Sequence, residues 1–246
     1  MNSDRVPTAL VIGAGSAIAK ALIAGLLHDS AQQEIIAVSR RQQEPLANVD
    51  SRIRFIQCDY SEAGINETAH QLAGYSGRIT RVFICTGVLH NEILKPEKRV
   101  EDIQADQLSA LFRINSILPA LWLQALLPVI KNSQQCVFTI FSARVGSISD
   151  NRTGGWYSYR ASKAALNMLI KTAAIEYARR APGVKLLAFH PGTVDTELSR
   201  PFQKNVPAEK LFTPAFVAAK LIEITDGLRP DGEASYLDWA GQAIQW

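Results

Sequence analysis

The chain has 246 residues, of which 47% are apolar and 20% charged, and it carries a formal net charge of +3. This is ordinary globular usage with enough apolar surface to close a core unaided, which excludes a disordered chain or a disulfide-dependent scaffold. The small charge, without any basic run interleaved with aromatics, gives no footing for nucleic acid or an anionic membrane as partner.

The first apolar run, TALVI (8–12), predicts a strand. It opens a nearly apolar stretch, 8–27, long enough to raise a signal or transmembrane reading. Gly13 and Gly15 interrupt that stretch and Lys20 falls in its middle, so strand, tight turn and helix are expected instead. The turn, VIGAGSAIAKAL, suits a phosphate cradle. Glycine lets the backbone bend sharply, and the helix start at Ser16, Ala17 and Ile18 offers free N–H groups and a positive dipole end to a pyrophosphate. Ala17 and Ala19 stand where further glycines would be expected, and a ligand-free βα turn is the plain alternative.

The second run, EIIAVS (34–39), ends in Ser39, Arg40 and Arg41 rather than in a carboxylate. A carboxylate there would hydrogen-bond a ribose 2′-hydroxyl, whereas arginine suits a 2′-phosphate; a dinucleotide bound here is expected to be NADP(H) rather than NAD(H). Further strands are predicted at 52–58, leading to Asp59 and Tyr60, and at 81–85, leading to Thr86 and Gly87. Runs at 136–141, 184–189 and, more weakly, 234–238 complete about seven. Segments with helical spacing lie between them. Such alternation predicts an α/β fold, a doubly wound parallel sheet with helices on both faces and a single domain over 1–246. Ligands in these sheets bind beyond the carboxyl ends of the strands, which marks Gly13, Ser39, Asp59, Thr86, Ser142 and His190. Cys58, Cys85 and Cys136 sit at strand ends without metal-ligand spacing, so they read as small buried hydrophobes and no metal is expected. An odd, unpaired set suits a reducing compartment, and the cytoplasm is the expected location.

Chemistry concentrates in the second half. In LFRINSILPALWLQALLPVI (111–130), Pro119 interrupts a helical pattern and its ring conflicts with the carbonyl of Asn115. That carbonyl is expected to lose its N–H partner and to be free to hold a water near Lys163. A hydroxyl to meet a substrate oxygen is expected after the fifth strand, at Ser142, with Ser147 as rival. In WYSYRASKAAL (156–166), Tyr159 and Lys163 stand at i and i+4 on one helix face, while Tyr157 points elsewhere. Ionising a free tyrosine at pH 7 costs about 4 kcal/mol, and a fixed ammonium nearby lowers that cost. Tyr159 is thus the candidate acid/base towards a carbonyl or a secondary alcohol, although such pairs also decorate plain helix surfaces. Residues 195–213 carry scattered apolar side chains, Leu198 and Phe202 among them, which suits a lid over a largely apolar substrate or a docked surface loop; Trp156, close to Tyr159, either lines the same pocket or only packs.

Taken together, the Gly13 turn, Asp59, TG at 86–87, Asn115, Ser142, YRASK at 159–163 and PGTVDT at 191–196 resemble the classical short-chain dehydrogenase/reductase family over essentially the whole chain. GGWYSYRASKAALN and the closing YLDWAGQAIQW are similar more particularly to its C-factor and sniffer-like carbonyl reductases. The resemblance implies a Rossmann fold, a nicotinamide cofactor and an Asn–Ser–Tyr–Lys tetrad. Carried over, Asn115 holds a relay water, Ser142 steadies the substrate oxygen, Tyr159 is the acid/base, and Lys163 lowers its pKa and binds the nicotinamide ribose. Asp59 meets the adenine, and the turn of Pro191, Gly192, Val194 and Thr196 flanks the carboxamide. The implied activity is NADP(H)-dependent reduction of a carbonyl or its reverse; a cofactor-binding signalling protein with little turnover is the alternative. Helices over 104–131 and 158–180 are implied to form a homo-oligomer. Three departures stand out: Ala17 and Ala19 replace glycines, CTGV replaces the family's NNAG, and the catalytic serine's slot, counted back from Gly146, falls on Ala143.

Overall fold

The seven apolar runs assemble into one parallel sheet in the computed structural model of the chain, which describes residues 6–29, 33–41 and 50–246. Its strands are β1 (Thr8–Ile12), β2 (Glu34–Ser39), β3 (Ile53–Gln57), β4 (Ile79–Ile84), β5 (Cys136–Phe141), β6 (Val184–His190) and β9 (Ala234–Asp238). They lie in the order β3-β2-β1-β4-β5-β6-β9, every neighbouring pair parallel. Two short strands, β7 (Thr193–Val194) and β8 (Leu211–Phe212), pair with each other apart from this sheet. β4 begins at Ile79 rather than Arg81, because Ile79 already pairs with Thr8. β6 runs on to His190, which pairs with Asp238.

The helices are α1 (Ala17–Asp29), α2 (Glu62–Gln71), α3 (Ala105–Phe112), α4 (Leu118–Ile130), α5 (Tyr157–Arg180) and α6 (Pro214–Gly227). Side chains alternate along each strand. Leu10 and Ile12 therefore join Trp122 of α4 and Leu166 of α5 in the core on one face, while Ala9 and Val11 join Leu22 of α1 and Leu221 of α6 on the other. Burial on both faces is why these strands read as unbroken apolar runs. The suspect stretch 8–27 resolves into β1, a turn and most of α1. Among the described residues one helical run, Ala105–Ile130, is long and apolar enough to cross a membrane by length and composition. Here it packs instead into the core, with Trp122 and Leu126 fully buried.

The chain runs from β1 to β2 on one side and then crosses back to β4 on the other. This reversal opens a cleft at the carboxyl ends of β1 and β4, the switch point where such sheets take ligands.

Candidate active site

The cleft begins at the turn after β1. Gly13 has φ +83, and a Cβ there would stand 3.0 Å from the carbonyl carbon of Cys85 and 3.1 Å from the Thr86 nitrogen, so no other residue fits. Its N–H lies 2.9 Å from Tyr60 Oη and 2.9 Å from the Val38 carbonyl. The Tyr60 hydroxyl in turn donates to the Val38 carbonyl at 3.2 Å, so this side chain braces the glycine-poor turn. Ser16 Oγ accepts the Ala19 N–H at 3.2 Å. The first turn of α1 carries no acidic residue, and Gly15 and Ala17 are exposed beside it, which leaves the helix start open to an anion. Ile18 is half-buried against the core, and Ala19 is wholly buried where the family has glycine.

The adjoining loops add to this. Ser39 Oγ donates to the Arg41 carbonyl at 2.5 Å. The Arg40 and Arg41 side chains are exposed, and neither makes an ion pair among the described residues. Asp59 accepts the hydroxyl and the N–H of Ser61 at the start of α2, and these bonds hold its carboxyl below the usual range. Thr86 Oγ1, just past the end of β4, is buried without a hydrogen-bond partner among the described residues. An orphan hydroxyl, a helix start free of acidic side chains and two exposed guanidinium groups without ion pairs among the described residues fit a dinucleotide laid across the cleft.

At the other end stands α5. Between α3 and α4 the helix widens into a π turn over Arg113–Ile117, closed by the Leu118 N–H on the Arg113 carbonyl. Pro119 has no N–H to offer the Asn115 carbonyl, and a π turn relieves its ring from the preceding turn. The Asn115 side chain is fully buried. Its Oδ1 accepts the Val88 N–H at 2.9 Å, and its Nδ2 donates to the Val88 carbonyl at 2.9 Å and to Ser162 Oγ at 3.1 Å. Ser116 Oγ donates to the Ser162 carbonyl at 2.7 Å, so the widened turn is fastened to α5 beside Lys163. A Cβ on Gly87 would lie 3.6 Å from both Asn115 Oδ1 and Lys163 Nζ, which places Gly87 between the two. Lys163, 3% exposed, donates through Nζ to the Phe141 carbonyl at 2.8 Å, and Nζ lies 6.0 Å from the centre of the Tyr159 ring. Burial pushes the Tyr159 phenol upward, with the Tyr236 phenol adding to it, and lowers the Lys163 ammonium to about 7. Both groups are drawn towards their neutral forms.

The two candidate serines face elsewhere. Ser142 Oγ donates to Asn167 Oδ1 at 2.6 Å, beneath α5, and Ser147 Oγ accepts the Asp150 N–H at 3.2 Å. Ala143 is the residue that packs against the apolar cluster around Tyr159. The expectation that Ser142 steadies the substrate oxygen is thus not met in this geometry, since neighbouring side chains alternate in direction at the end of β5. Tyr236 Oη donates to the Ala143 carbonyl at 2.6 Å and fixes that backbone. His190, also at a strand end, is kept neutral by burial and by Arg144, which lower it to about 4.

Tyr159, 8% exposed, lies in an apolar cluster with Leu89, Leu94 and Leu111, joined by Val88, Val145, Trp156 and Phe202. The Trp156 ring centre is 6.2 Å from that of Tyr159 and 4.9 Å from that of Phe202. Phe202 belongs to the excursion between β7 and β8, whose ends are clasped by their pairing and by the Asp195 N–H on the Phe212 carbonyl at 2.8 Å. His90 Nε2 lies 3.1 Å from the Leu198 carbonyl and 3.3 Å from that of Glu197, tying the excursion to the loop after β4. The Leu198 side chain itself is exposed. In the turn after β6, Gly192 has φ +73 and its missing Cβ would strike Phe212. Val194 is buried, Pro191 half-buried, and Thr196 Oγ1 donates to the Val194 carbonyl at 3.3 Å.

The structure therefore brings Asn115, Tyr159, Lys163, Trp156 and Phe202 to one place, with Gly87 and Thr86 beside them. It turns Ser142, Ser147 and Leu198 away. Leu89, His90 and Leu94 had no place in the sequence reading, and Val88 entered it only within CTGV.

A family model described as short chain dehydrogenase matches residues 7–207. The 1-hydroxy-2-glutathionyl-2-methyl-3-butene dehydrogenase of Rhodococcus sp. (strain AD45) is 30% identical over 240 residues, 97% of this chain and 99% of its own. C-signal of Myxococcus xanthus is 30% identical over 145 residues, 59% of this chain and 82% of its own. Among solved structures, the NADPH-bound carbonyl reductase from chicken fatty liver superposes with a TM-score of 0.82 at 23% identity, covering 98% of this chain and 100% of that one.

Proposed function

The chain belongs to the short-chain dehydrogenase family and is an NAD(P)-dependent oxidoreductase, and from that premise we propose that it reduces an apolar carbonyl compound with NADPH, Tyr159 giving the proton. The observation that carries this reading is the setting of Tyr159, a phenol that burial keeps protonated, walled by Trp156 and Phe202 and backed by Lys163. Reduction needs a proton at the substrate oxygen, so a phenol protonated at neutral pH is already in the required form. Oxidation would first have to ionise it.

The reduced nicotinamide, when bound, supplies the hydride. Tyr159 Oη gives its proton to the substrate oxygen as negative charge gathers there. Lys163 stabilises the phenolate left behind. The Asn115 carbonyl, deprived of an i+4 donor by Pro119, holds the water that returns a proton from solvent through Lys163. Ser142 acts from below, fixing Asn167, while Ala143 leaves the wall beside Tyr159 apolar. Gly13, Gly15, Ser16, Ala17 and Ile18 would hold the pyrophosphate, Asp59 and Tyr60 the adenine side, and Thr86, Lys163 and the turn from Pro191 to Thr196 the nicotinamide side. Arg40 and Arg41 favour NADPH over NADH because their guanidinium groups match a 2′-phosphate. Residues 195–213 act as the lid that closes Phe202 over the site.

The Rhodococcus relative is named for a hydroxy compound carrying a glutathionyl group, so glutathionylated alcohols belong among the compounds tested. A signalling role of the C-signal kind is the weaker reading, because Asn115, Tyr159 and Lys163 are all present, Asn115 linked to the Tyr159 carbonyl through Ser162 Oγ and Lys163 Nζ standing 6.0 Å from the Tyr159 ring. Met168, Leu169 and Ile175 on α5 and Ile117 on the π turn are exposed, and a second copy of the chain covering them would make a homo-oligomer. The free Cys58, Cys85 and Cys136 suit the cytoplasm. The test is oxidation of NADPH and NADH against a panel of aldehydes, ketones and quinones, with reduction of NADP+ and NAD+ by glutathionylated alcohols measured in the reverse direction. Turnover preferring NADPH supports the reading, and failure of both nucleotides to bind contradicts it.

A further inference from the structure

Glu97 lies in the crossover between β4 and α3 and has no part in the chemistry so far. It is a carboxylate only 2% exposed, yet it makes no ion pair among the described residues. A lone buried charge is costly unless hydrogen bonds replace its lost water. Here they come from the start of α5 and from α3. Glu97 Oε2 accepts the Ser158 N–H at 3.2 Å, and Oε1 accepts the Ser158 hydroxyl and, at 2.6 Å, Gln107 Nε2. The Glu97 carbonyl accepts the Trp156 N–H at 2.6 Å.

Trp156 and Ser158 form the entry to α5, and Gln107 belongs to α3. Gly154, Gly155 and Trp156 are successively left-handed, with φ of 63, 65 and 53, and a bulky residue holds such a conformation only when its surroundings fix it. Trp156 caps α5 without any side-chain hydrogen bond, and the first turn contains no acidic residue. The first N–H groups of a helix lack partners within it, so an uncapped first turn frays. Tyr159 is in that turn. The fastenings from Asn115 and Ser116 reach α5 only at Ser162, beyond Tyr159. Arg160 ties the preceding loop to the helix through the Gly154 and Gly155 carbonyls and Thr153 Oγ1, and Glu97 is what receives the N–H and hydroxyl of Ser158 and the N–H of Trp156 from outside the helix. It also joins that turn to the pocket wall, because its partner Gln107 accepts the Lys95 N–H at 2.9 Å, next to Leu94 of the Tyr159 cluster.

We propose that Glu97 is a positioning residue for Tyr159, an external cap that sets the first turn of α5 and couples it to the substrate-lining loop after β4. The proposal rests on the reading of Tyr159 as the proton donor. The test compares native enzyme, E97Q, E97A and Y159F with an aldehyde or ketone that the native enzyme reduces, and adds amide exchange along α5. A misplacement on the order of 1 Å costs about 10²-fold in rate, so E97A should lose about that much kcat and E97Q, which keeps one acceptor oxygen, about tenfold. NADPH affinity should stay within about twofold, because the cap does not touch the dinucleotide end, and a loss of kcat at constant affinity and constant folded fraction is what a merely structural role would not give. Exchange at Ser158 and Tyr159 should quicken in E97Q, while the amides beyond Ser162 keep native protection.

Native kcat in E97Q and E97A beside an inactive Y159F overturns the Glu97 proposal and leaves the Tyr159 reading standing. Native turnover by Y159F overturns both. If E97A does not fold, E97Q decides: native exchange at Ser158 overturns the proposal, and quickened exchange with lowered kcat supports it.

Discussion

At the end of the cleft proposed for the dinucleotide, Gly15 and Ala17 stand exposed, Arg40 and Arg41 reach into solvent, and the buried Thr86 hydroxyl has no partner among the described residues. At the Tyr159 end the side chains are already committed to one another: Asn115 to Val88 and Ser162, Ser116 to Ser162, Lys163 to Phe141, Glu97 to Ser158. The first region is left open, and the second is built from side chains already bonded to one another. Substitutions at the open end should therefore act on nucleotide affinity, and substitutions at the closed end on the chemical step. Preorganised groups are also where rate is most sensitive to small shifts.

The largest effect is expected at the closed end. Lys163→Met should lower kcat by about 10²-fold or more, since it removes both the charge that stabilises the phenolate and the proton route. The same variant tests the buried ammonium through stability. Lys163 titrates near 7 in the fold and near its ordinary value unfolded, so between these pH values the unfolded chain binds the extra proton. Stability of the ligand-free protein then rises with pH across that window, and the variant should lose this part of the rise, roughly a few degrees in Tm between pH 7 and 9.5. Next comes the open end. Replacing Arg40 and Arg41 together by Ala should weaken NADPH binding by roughly 10- to 100-fold in direct titration and leave NADH nearly unchanged, as expected for charge-assisted bonds to a 2′-phosphate. Equal loss for both nucleotides would erase the distinction between the two arginines and the rest of the cradle. The smallest effect is a gain. Ala143→Ser should add a hydroxyl beside Tyr159 and raise kcat by up to about tenfold on unactivated ketones, with NADPH affinity unchanged. No change would mean that the wall at Ala143 does not face the substrate oxygen.

The fold was legible because burial on both faces leaves its mark on every residue of an inner strand. TALVI, EIIAVS and CVFTIF each appear as strands at their predicted limits. The meeting of Asn115, Tyr159 and Lys163 was legible too, from an i, i+4 spacing and from a proline whose ring conflicts with the turn before it. That the helix would answer Pro119 with a π turn was not, since a kink, a break and a widened turn all relieve the same clash. The direction of Ser142 was hidden because one residue at a strand end reverses the face, and the sequence contains both a serine and, one place later, the vacant slot at Ala143. Glu97 and His90 left no trace at all. Each is a single polar residue in a loop, and its partners, Ser158 and the Leu198 carbonyl, are far along the chain.

The central claim is that a prebuilt Tyr159 gives the proton in a reduction driven by NADPH. The most direct measurement is single-turnover oxidation of bound NADPH by a carbonyl substrate at neutral pH, in the native enzyme and in Tyr159→Phe, with nucleotide affinity determined for both. The account predicts equal NADPH binding and a fall in the single-turnover rate of roughly 10²- to 10⁴-fold in the variant. Equal rates in the two proteins would contradict it.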